Sequence, residues 1–157
     1  MKKQIENNSL RLMIFKSADE LGQKIDDHLL EMYNLNKDEY TFIVPIKENF
    51  FDDGHFKVEI DETVRGKDIF LLTDIGNYSL EYKMRGAINH TSPNDLMMEL
   101  KDGIGACNCH AKNINIVMPL LYAGRQHRRN TRESLACGMM LHELDTMSGI
   151  KSFITFD

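Results

Sequence analysis

The stretch Asp68-Ile69-Phe70-Leu71-Leu72-Thr73 is a nearly continuous apolar run. Runs of this kind are typical of strands that are buried on both faces of a parallel sheet. Similar short runs cover residues 10–15 and 113–121, and a last one covers residues 150–156. We therefore predict that these four segments are the strands of one central sheet.

The segment after the first run predicts a helix. Ser17 and Glu20 fit the Ser-x-x-Glu pattern of a capping box, so the helix is expected from about residue 18 to residue 33. The polar stretch 34–39 ends it. The side chains that recur at helical spacing, and are therefore expected to face the sheet, are Leu21, Ile25, His28, Leu29 and Met32.

Two more helices are predicted further along the chain. Cap-type side chains at residues 92–95 precede an apolar pattern at helical spacing, which predicts a helix from Pro93 to Cys107. Residues 131–147 show a second such pattern. Because strands that alternate with helices form parallel sheets with right-handed connections, the predicted class is α/β.

The region between the first helix and the run at 68–73 has a different pattern. Residues 40–46 are rich in β-forming side chains and are predicted to be a strand. After the turn-like Asp52-Asp53-Gly54, residues 55–60 alternate polar and apolar side chains, as half-exposed antiparallel strands do. We expect a small antiparallel appendage at residues 51–60. Residues 76–91 show no clean period, and no element is predicted there.

Composition limits the class of protein. The chain has 157 residues, of which 42% are hydrophobic and 27% charged, as in one ordinary globular domain. A net charge of −5 and an isoelectric point near 5.7 argue against a protein that coats nucleic acid or an anionic membrane. No run approaches the roughly 18 apolar residues of a membrane span. Three cysteines and no signal-peptide pattern predict a cytoplasmic protein.

Positive charge is concentrated after the run at 113–121. Residues 122–132 read Tyr-Ala-Gly-Arg-Gln-His-Arg-Arg-Asn-Thr-Arg, with four arginines inside eight residues. Loops at the carboxyl ends of parallel strands bind ligands in α/β proteins, and guanidinium groups clamp phosphate oxygens with paired donors. A solvated basic turn is the alternative. The placement after a buried strand favours a site for a nucleotide phosphate.

Other candidate residues carry less information. Asp157 follows the last predicted strand and could hold hydrated Mg²⁺ through its carboxylate, or it could be an ordinary surface residue. Cys107, Cys109 and His110 are clustered, but structural zinc takes cysteine pairs two to four residues apart plus a second pair, so packing is the favoured interpretation. The two commonest glycine-rich nucleotide motifs do not occur in the sequence.

Four segments together resemble the N-terminal half of ribose-phosphate pyrophosphokinases. They are residues 51–60 (Phe-Asp-Asp-Gly-His-Phe-Lys-Val-Glu-Ile), 64–70 (Val-Arg-Gly-Lys-Asp-Ile-Phe), 94–100 (Asn-Asp-Leu-Met-Met-Glu-Leu) and 124–129 (Gly-Arg-Gln-His-Arg-Arg). The similarity spans nearly the whole chain, apart from apparent insertions near residues 35–40 and 78–90. It implies a three-layer phosphoribosyltransferase-like domain with a mainly parallel sheet and a small antiparallel hairpin.

The resemblance also implies roles for individual residues. In the family, the hairpin holds the adenine of ATP across a subunit boundary, which assigns Phe51, Asp53 and His55 to adenine. The basic loop holds the ATP phosphates. The residues of that loop that take this role are Arg125, Gln126, His127, Arg128, Arg129 and Asn130. Asp157 matches the first acid of the family's magnesium segment, so Mg²⁺ is the implied cofactor.

Two departures from the family pattern concern these contacts. The family's hairpin Glu is His55 in this chain, and the Asp after Arg-Gln is His127. A neutral imidazole can accept a hydrogen bond from the adenine amino group, but a protonated one cannot. Because both substitutions change residues expected to contact ATP, they leave open an alternative function, that of a non-catalytic regulatory or assembly homologue. A phosphoribosyltransferase is disfavoured, because no paired-acid loop follows a strand.

The reaction implied by the resemblance is transfer of the diphosphoryl group of ATP to ribose 5-phosphate for nucleotide biosynthesis. Residues 1–157 would form the ATP-facing N-terminal domain, and the ribose-5-phosphate-binding domain would lie outside this sequence. A fragment of this kind is expected to be inactive alone. Family members form dimers and hexamers, so a homo-oligomer is expected, with no nucleic-acid or membrane partner.

Overall fold

The computed structural model describes residues 9–108, 110–147 and 149–156. Three α-helices and eight β-strands are found there. The helices are α1 (Asp19–Tyr33), α2 (Pro93–Cys107) and α3 (Ala136–Thr146), and a 3-10 turn at Lys16–Ala18 precedes α1. The strands are β1 (Leu10–Ile14), β2 (Ile46–Phe50), β3 (Phe56–Ile60), β4 (Asp68–Leu72), β5 (Glu81–Met84), β6 (Ala87–His90), β7 (Asn113–Val117) and β8 (Ile150–Ile154).

The central sheet contains the four segments predicted from their apolar runs. Its order is β1-β4-β7-β8, and each neighbouring pair is parallel. On the other side of β1, Leu12 forms an isolated parallel bridge with Ile43. The predicted strand at 40–46 is otherwise wrong. The backbone N–H of Leu12 donates to Phe42 and that of Val44 donates to Leu12, but beyond this bridge the chain leaves β1, and β2 begins at Ile46 and pairs with β3 instead.

Helices cover both faces of the sheet, which confirms the three-layer α/β fold. Alternate residues of each strand point to opposite faces. Met13, Leu71 and Ile116 belong to the core beneath α2 and α3. Leu12 and Leu72 belong to a second core beneath α1. In the described part of the chain, no helix has the length and hydropathy that crossing a membrane would require.

The capping predicted for α1 is wrong, and the predicted buried face is confirmed only in part. No side chain caps this helix at Ala18, because the Ser17 hydroxyl lies 3.2 Å from the Thr73 hydroxyl and also accepts the Asp74 backbone N–H. The residues of α1 that are buried are Gly22, Asp26 and Leu30. Of the predicted face, Leu21, Ile25 and Leu29 are half-buried, and His28 and Met32 are exposed.

A buried carboxylate explains why hydrophobic spacing does not identify the most buried residues of α1. Asp26 is 2% exposed. Its carboxylate accepts the backbone N–H of Phe42 at 2.7 Å and the hydroxyl of Thr41 at 2.8 Å. A polar side chain with its hydrogen bonds satisfied can therefore occupy the position that faces the sheet, and the apolar stripe lies beside it.

The antiparallel appendage at 51–60 is confirmed as the hairpin of β2 and β3. A second hairpin, β5–β6, occupies the region where no element was predicted. Its turn has positive φ angles at Arg85 (50°) and Gly86 (81°), as a two-residue hairpin turn of mirror-image type does. The predicted helix at 131–147 begins later, at Ala136, and β7 ends at Val117, so the loop between them spans residues 118–135.

Helix α2 has the bounds predicted from sequence, and the reciprocal hydrogen bonds of Ser92 and Asp95 cap it. Gly103 brings it close to the sheet, since a Cβ there would lie 2.5 Å from Cζ of Phe15. We expect Gly103→Ala to lower the free energy of unfolding by about 1–3 kcal/mol in urea titrations. Gly105→Ala is the matched control. A Cβ there meets nothing within 4 Å, and equal effects of the two substitutions would contradict the expectation.

Candidate functional site

The basic loop leaves the sheet at the carboxyl end of β7. The side chains of Arg125, Gln126, His127, Arg128, Arg129 and Asn130 are all exposed. Among the described residues, no carboxylate lies within ion-pair distance of these arginines. The loop therefore presents unneutralised guanidinium groups to solvent, and an anionic ligand could meet them without first displacing a carboxylate.

The first turn of this loop is anchored to the rest of the domain. The Tyr122 hydroxyl donates to Oδ1 of Asn94, at the start of α2, over 2.7 Å. The backbone N–H of Gly124 donates to Leu121 and that of Gln126 donates to Ala123, whose φ is +54°. A non-glycine residue in this region is strained, and such strain persists only where surrounding contacts hold it. The anchored turn fixes the starting positions of Arg125 and Gln126.

His127 takes part in the same turn. Its Nδ1 lies 2.8 Å from the carbonyl oxygen of Gly124. Since a carbonyl oxygen can only accept, Nδ1 must carry the proton in this arrangement, and Nε2 is left facing away from that bond. Further on, Oε1 of Glu133 accepts the backbone N–H groups of Asn130 and Thr131. These bonds hold residues 130–133 in a loop, which explains why α3 does not begin at 131.

The turn of the β2–β3 hairpin carries the residues assigned to adenine. The backbone N–H of Phe51 donates to His55 over 2.8 Å, and that of Gly54 donates to Phe51 over 2.9 Å. The Phe51 side chain is 50% exposed. An exposed aromatic ring on an ordered turn can stack on a nucleobase.

Asp53 and His55 form a pair within this turn. Oδ1 of Asp53 accepts the backbone N–H of His55 at 3.1 Å, and Oδ2 lies 3.0 Å from Nδ1 of the His55 imidazole. The backbone N–H and the imidazole both favour the charged carboxylate and lower the pKa of Asp53. The His55 imidazole is thus oriented by the neighbouring Asp53 carboxylate.

A groove of about 290 Å³ lies between the hairpin and α2. The hairpin lines it with Phe50, Gly54, His55 and Phe56, and α2 lines it with Asp95, Met98 and Asp102. No hydrogen bond or ion pair within the described residues joins the hairpin turn to the basic loop.

Two buried carboxyl groups, one on β2 and one on α2, interact electrostatically. Glu99 of α2 is 4% exposed and the Glu48 side chain of β2 is 5% exposed. The Lys16 backbone N–H donates to Glu48 over 3.0 Å, and Nζ of Lys16 lies 3.6 Å from the Glu48 carboxylate. Burial, and then the charge of Glu48, raise the pKa of Glu99 to about 8. Hydrophobic spacing gives no sign of this pair.

A cavity of about 460 Å³ at the carboxyl ends of β1 and β4 was not predicted. Its lining includes Lys16, Ser17, Asp74 and Asn77. The chain passes from β1 through α1 to Ile43 on one side of β1, and returns to β4 on the other side. Open α/β sheets bind ligands beside such reversals of strand order. The polar pair Thr73-Asp74 after a buried strand is the sequence signal that could have pointed there.

The metal predictions stay open. Asp157 and Cys109 lie outside the described residues. No group of three or more His, Cys, Asp or Glu side chains suited to a metal ion occurs in residues 9–108, 110–147 and 149–156. The Sγ atom of Cys107 lies 3.6 Å from Sδ of Met13, and burial raises the thiol pKa to about 11. This thiol is therefore packed as a small apolar group.

A parallel sheet covered by helices on both faces, with an anchored cationic loop beyond one strand, defines an α/β domain of the kind that places ligands at strand ends. Residues 10–148 match a family model described as the N-terminal domain of ribose phosphate pyrophosphokinase. The chain belongs to this family, as its resemblance indicated.

Individual relatives agree with this membership. The chain is 28% identical to ribose-phosphate pyrophosphokinase of Staphylococcus saprophyticus over 156 residues, which covers 97% of this chain and 40% of the relative. It is 34% identical to that of Helicobacter hepaticus over 110 residues, or 69% of this chain and 31% of the relative. The chain thus spans about 40% or less of the length of these relatives.

A solved structure supports the fold. The crystal structure of phosphoribosylpyrophosphate synthetase from Mycobacterium smegmatis superposes on 92% of this chain with a TM-score of 0.66 and 23% identity. The match covers 42% of that chain. At this identity the likeness concerns the three-layer architecture alone.

Proposed function

We propose that this chain is the ATP-facing domain of a ribose-phosphate pyrophosphokinase, an enzyme that transfers the diphosphoryl group of ATP to ribose 5-phosphate. The observation that carries the proposal is the anchored turn at the end of β7, from which exposed arginines project without carboxylate partners. Arginine on an ordered turn is suited to phosphate oxygens, because its planar donors bind them in pairs.

Each part of ATP has a proposed position. Phe51, Asp53 and His55 would contact adenine through ring stacking and hydrogen bonds. The phosphates would be bound by the basic loop, whose contributing residues are Arg125, Gln126, His127, Arg128, Arg129 and Asn130. Mg²⁺ would enter with the nucleotide, whose phosphate oxygens are ligands that this ion prefers, and Asp157 would contribute a carboxylate.

The chain's own residues would act by positioning the nucleotide. In the transfer, the 1-hydroxyl oxygen of ribose 5-phosphate attacks the β-phosphorus and loses its proton, and the bond from that phosphorus to the oxygen bridging the α-phosphate breaks to release AMP. Phosphoryl transfer of this kind depends mostly on alignment and on stabilising negative charge. Arg125 and its neighbours would supply both.

We assign the binding of ribose 5-phosphate to the part of the relatives' sequence that this chain does not cover. Since the chain spans about 40% of its relatives' length, we propose that the remaining part binds ribose 5-phosphate. The chain alone is then expected to bind ATP without forming product. From the resemblance to the family, a homo-oligomer in which one subunit's hairpin completes its neighbour's site is part of the proposal.

A second candidate is a non-catalytic regulatory or assembly homologue. It is favoured by His55 and His127, which stand where the family has carboxylates and which are both held by local partners, Asp53 and the Gly124 carbonyl. For either candidate the proposed compartment is the cytoplasm. The cysteines described, Cys107 and Cys137, are free and buried, as suits a reducing compartment.

Calorimetric titration with ATP and with GTP tests the proposal. We expect the chain to bind ATP in the presence of Mg²⁺, and His55→Glu to tighten ATP binding by about 3-fold to 10-fold, since a carboxylate accepts the adenine amino hydrogen bond that GTP cannot offer. His142→Glu, the same change on an exposed face of α3, is the control. A folded chain that binds no ATP would contradict the proposed function, and an inert His55→Glu would contradict the adenine contact.

A further inference from the structure

The β5–β6 hairpin packs directly against the turn that carries the proposed adenine contacts. The ring of Tyr82 stacks on that of Phe50, with centroids 4.1 Å apart and planes 14° apart. Phe50 also meets Phe56 edge-on at 5.2 Å. The three rings form one continuous cluster beneath the turn. Phe50, the last residue of β2, lies in it between Phe56 of its own hairpin and Tyr82 of the second hairpin.

Backbone contacts add to this stacking. The N–H of Arg85 donates to the carbonyl oxygen of Asp52 over 3.1 Å. The Met84 side chain lies over Gly54, where an added Cβ would come within 2.8 Å of its sulfur. Residues on both sides of the turn, 52 and 54, are therefore contacted by the tip of the second hairpin.

The conformation of Arg85, which the mirror-image turn requires, aims its backbone N–H at the adenine turn. Its φ of +50° lies in the left-handed region, which costs a non-glycine residue about 1–2 kcal/mol. The guanidinium group is exposed and is not in an ion pair within the described residues. What the strained conformation provides is a backbone N–H aimed at Asp52.

We propose that the β5–β6 hairpin is a positioning element of the nucleotide site, with Tyr82 as its principal residue, and that it fixes the turn carrying Phe51, Asp53 and His55. The inference rests on the proposed function for the role of those three residues, but the positioning itself concerns contacts within this chain. Holding Phe50 inward leaves Phe51 outward and ordered. A turn ordered before the ligand arrives loses less conformational entropy on binding.

The aromatic ring of Tyr82, rather than its hydroxyl, makes these contacts. In the part of the chain that the structure describes, the hydroxyl takes part in no hydrogen bond. The stacking distance to Phe50 depends on the ring alone. Tyr82→Phe should therefore preserve the positioning, and Tyr82→Ala should remove it.

Amide hydrogen exchange tests the positioning without any ligand. The reporters are the N–H groups of Phe51 and Gly54, which are both bonded within the turn. We expect Tyr82→Ala to speed their exchange by about 10-fold or more, which is the expected effect of losing roughly 1.4 kcal/mol of local order. Tyr82→Phe should leave the rates unchanged. Tyr78→Ala is the control, because Tyr78 is 73% exposed. Unchanged protection in Tyr82→Ala would overturn the inference.

A second variant separates the contribution of the Arg85 backbone N–H from that of its side chain. Arg85→Gly keeps the N–H and favours the left-handed conformation, so we expect exchange at Phe51 and Gly54 to stay at the wild-type rate or slow slightly. Faster exchange in Arg85→Gly would show that the guanidinium group, and not the backbone bond, holds the turn.

ATP titrations then connect positioning with binding. Tyr82→Ala is expected to weaken ATP binding by about 3-fold to 10-fold, and to cause a smaller loss in a Phe51→Ala background, where only the contacts of Asp53 and His55 still depend on the order of the turn. Additive losses would show a general structural effect and overturn the inference. If Phe51→Ala itself leaves ATP affinity unchanged, the adenine contact of Phe51 fails, and if the folded chain binds no ATP, the proposed function fails. In both cases the hydrogen-exchange result still decides whether the hairpin orders the turn.

Discussion

Replacement of Arg125 by alanine is expected to weaken ATP binding to this chain by about 10-fold to 100-fold. The reason is that hydrogen bonds from a charged donor to phosphate are worth roughly 1.5–3 kcal/mol each, and each 1.4 kcal/mol corresponds to a factor of ten. Arg125 follows the anchored residues 122–124, so its backbone has little freedom to adjust once the side chain is removed. Calorimetric titration with ATP and Mg²⁺ measures the loss.

Two further variants show what kind of contact is lost. Arg125→Lys keeps the charge but not the planar pair of donors, so an intermediate loss is expected. Arg132→Ala removes the same charge from an exposed position of the same loop that has no assigned role, and we expect less than about a 3-fold change. Equal losses in Arg125→Ala and Arg132→Ala would show that the loop acts only through its overall charge.

Replacement of Glu99 by glutamine is expected to change how stability depends on pH. Burial, and then the charges of Glu48 and Asp95, raise the pKa of Glu99 from 4.5 to about 8, while Lys16 opposes the rise. The unfolded chain releases this proton above about pH 4.5, but the folded chain keeps it until about pH 8. Stability from this group is therefore fully present below pH 4.5 and is lost as the pH rises through 8.

The size of the effect follows from the shift. At 1.36 kcal/mol for each pKa unit, the wild type should lose roughly 3–5 kcal/mol between pH 4.5 and pH 8, and Glu99→Gln should avoid this loss because the amide is neutral throughout. The variant is thus expected to match the wild type near pH 4.5 and to exceed it near pH 9 in urea unfolding. The raised pKa of Glu48, which burial causes, leaves a smaller dependence of the same sign.

Glu31→Gln is the control for this comparison, because Glu31 is exposed on α1. It should shift the free energy of unfolding by less than about 0.5 kcal/mol at every pH. A Glu99→Gln variant whose stability follows the wild-type curve from pH 5 to pH 9 would show that Glu99 is ionised in the folded chain at neutral pH.

Local sequence signals were sufficient where the structure is locally determined. The bounds of α2 follow from Ser92, Pro93 and Asp95, which cap the helix through bonds between near neighbours. The strands of the central sheet could be predicted because their continuous apolar runs are typical of strands buried on both faces. The position of Arg125 beyond β7 follows from the same sheet, because the carboxyl ends of parallel strands lie at one edge.

Predictions failed where contacts between residues far apart in the sequence determine the local structure. Ser17 has the spacing of a helix cap, but Thr73 and Asp74, which follow the neighbouring strand β4, bind its hydroxyl. The β5–β6 hairpin depends on Tyr82 meeting Phe50, which no periodicity within residues 76–91 encodes. The burial of Glu99 depends on the β2–β3 hairpin, whose strand β3 packs on α2. The individual roles of residues 125–130 came from resemblance, and contacts with ATP remain to be measured.

The stacking of Tyr82 on Phe50 also bears on the order in which the chain acquires its shape. The β2–β3 hairpin is a local unit that can close as soon as residue 60 has been synthesised. The contacts of its turn with Tyr82 and Arg85 form only when β6 has followed and Glu81–Met84 has paired with Ala87–His90. During synthesis, the segment proposed to recognise adenine is therefore completed by residues that lie later in the chain, and until then the face of Phe50 that Tyr82 covers is exposed.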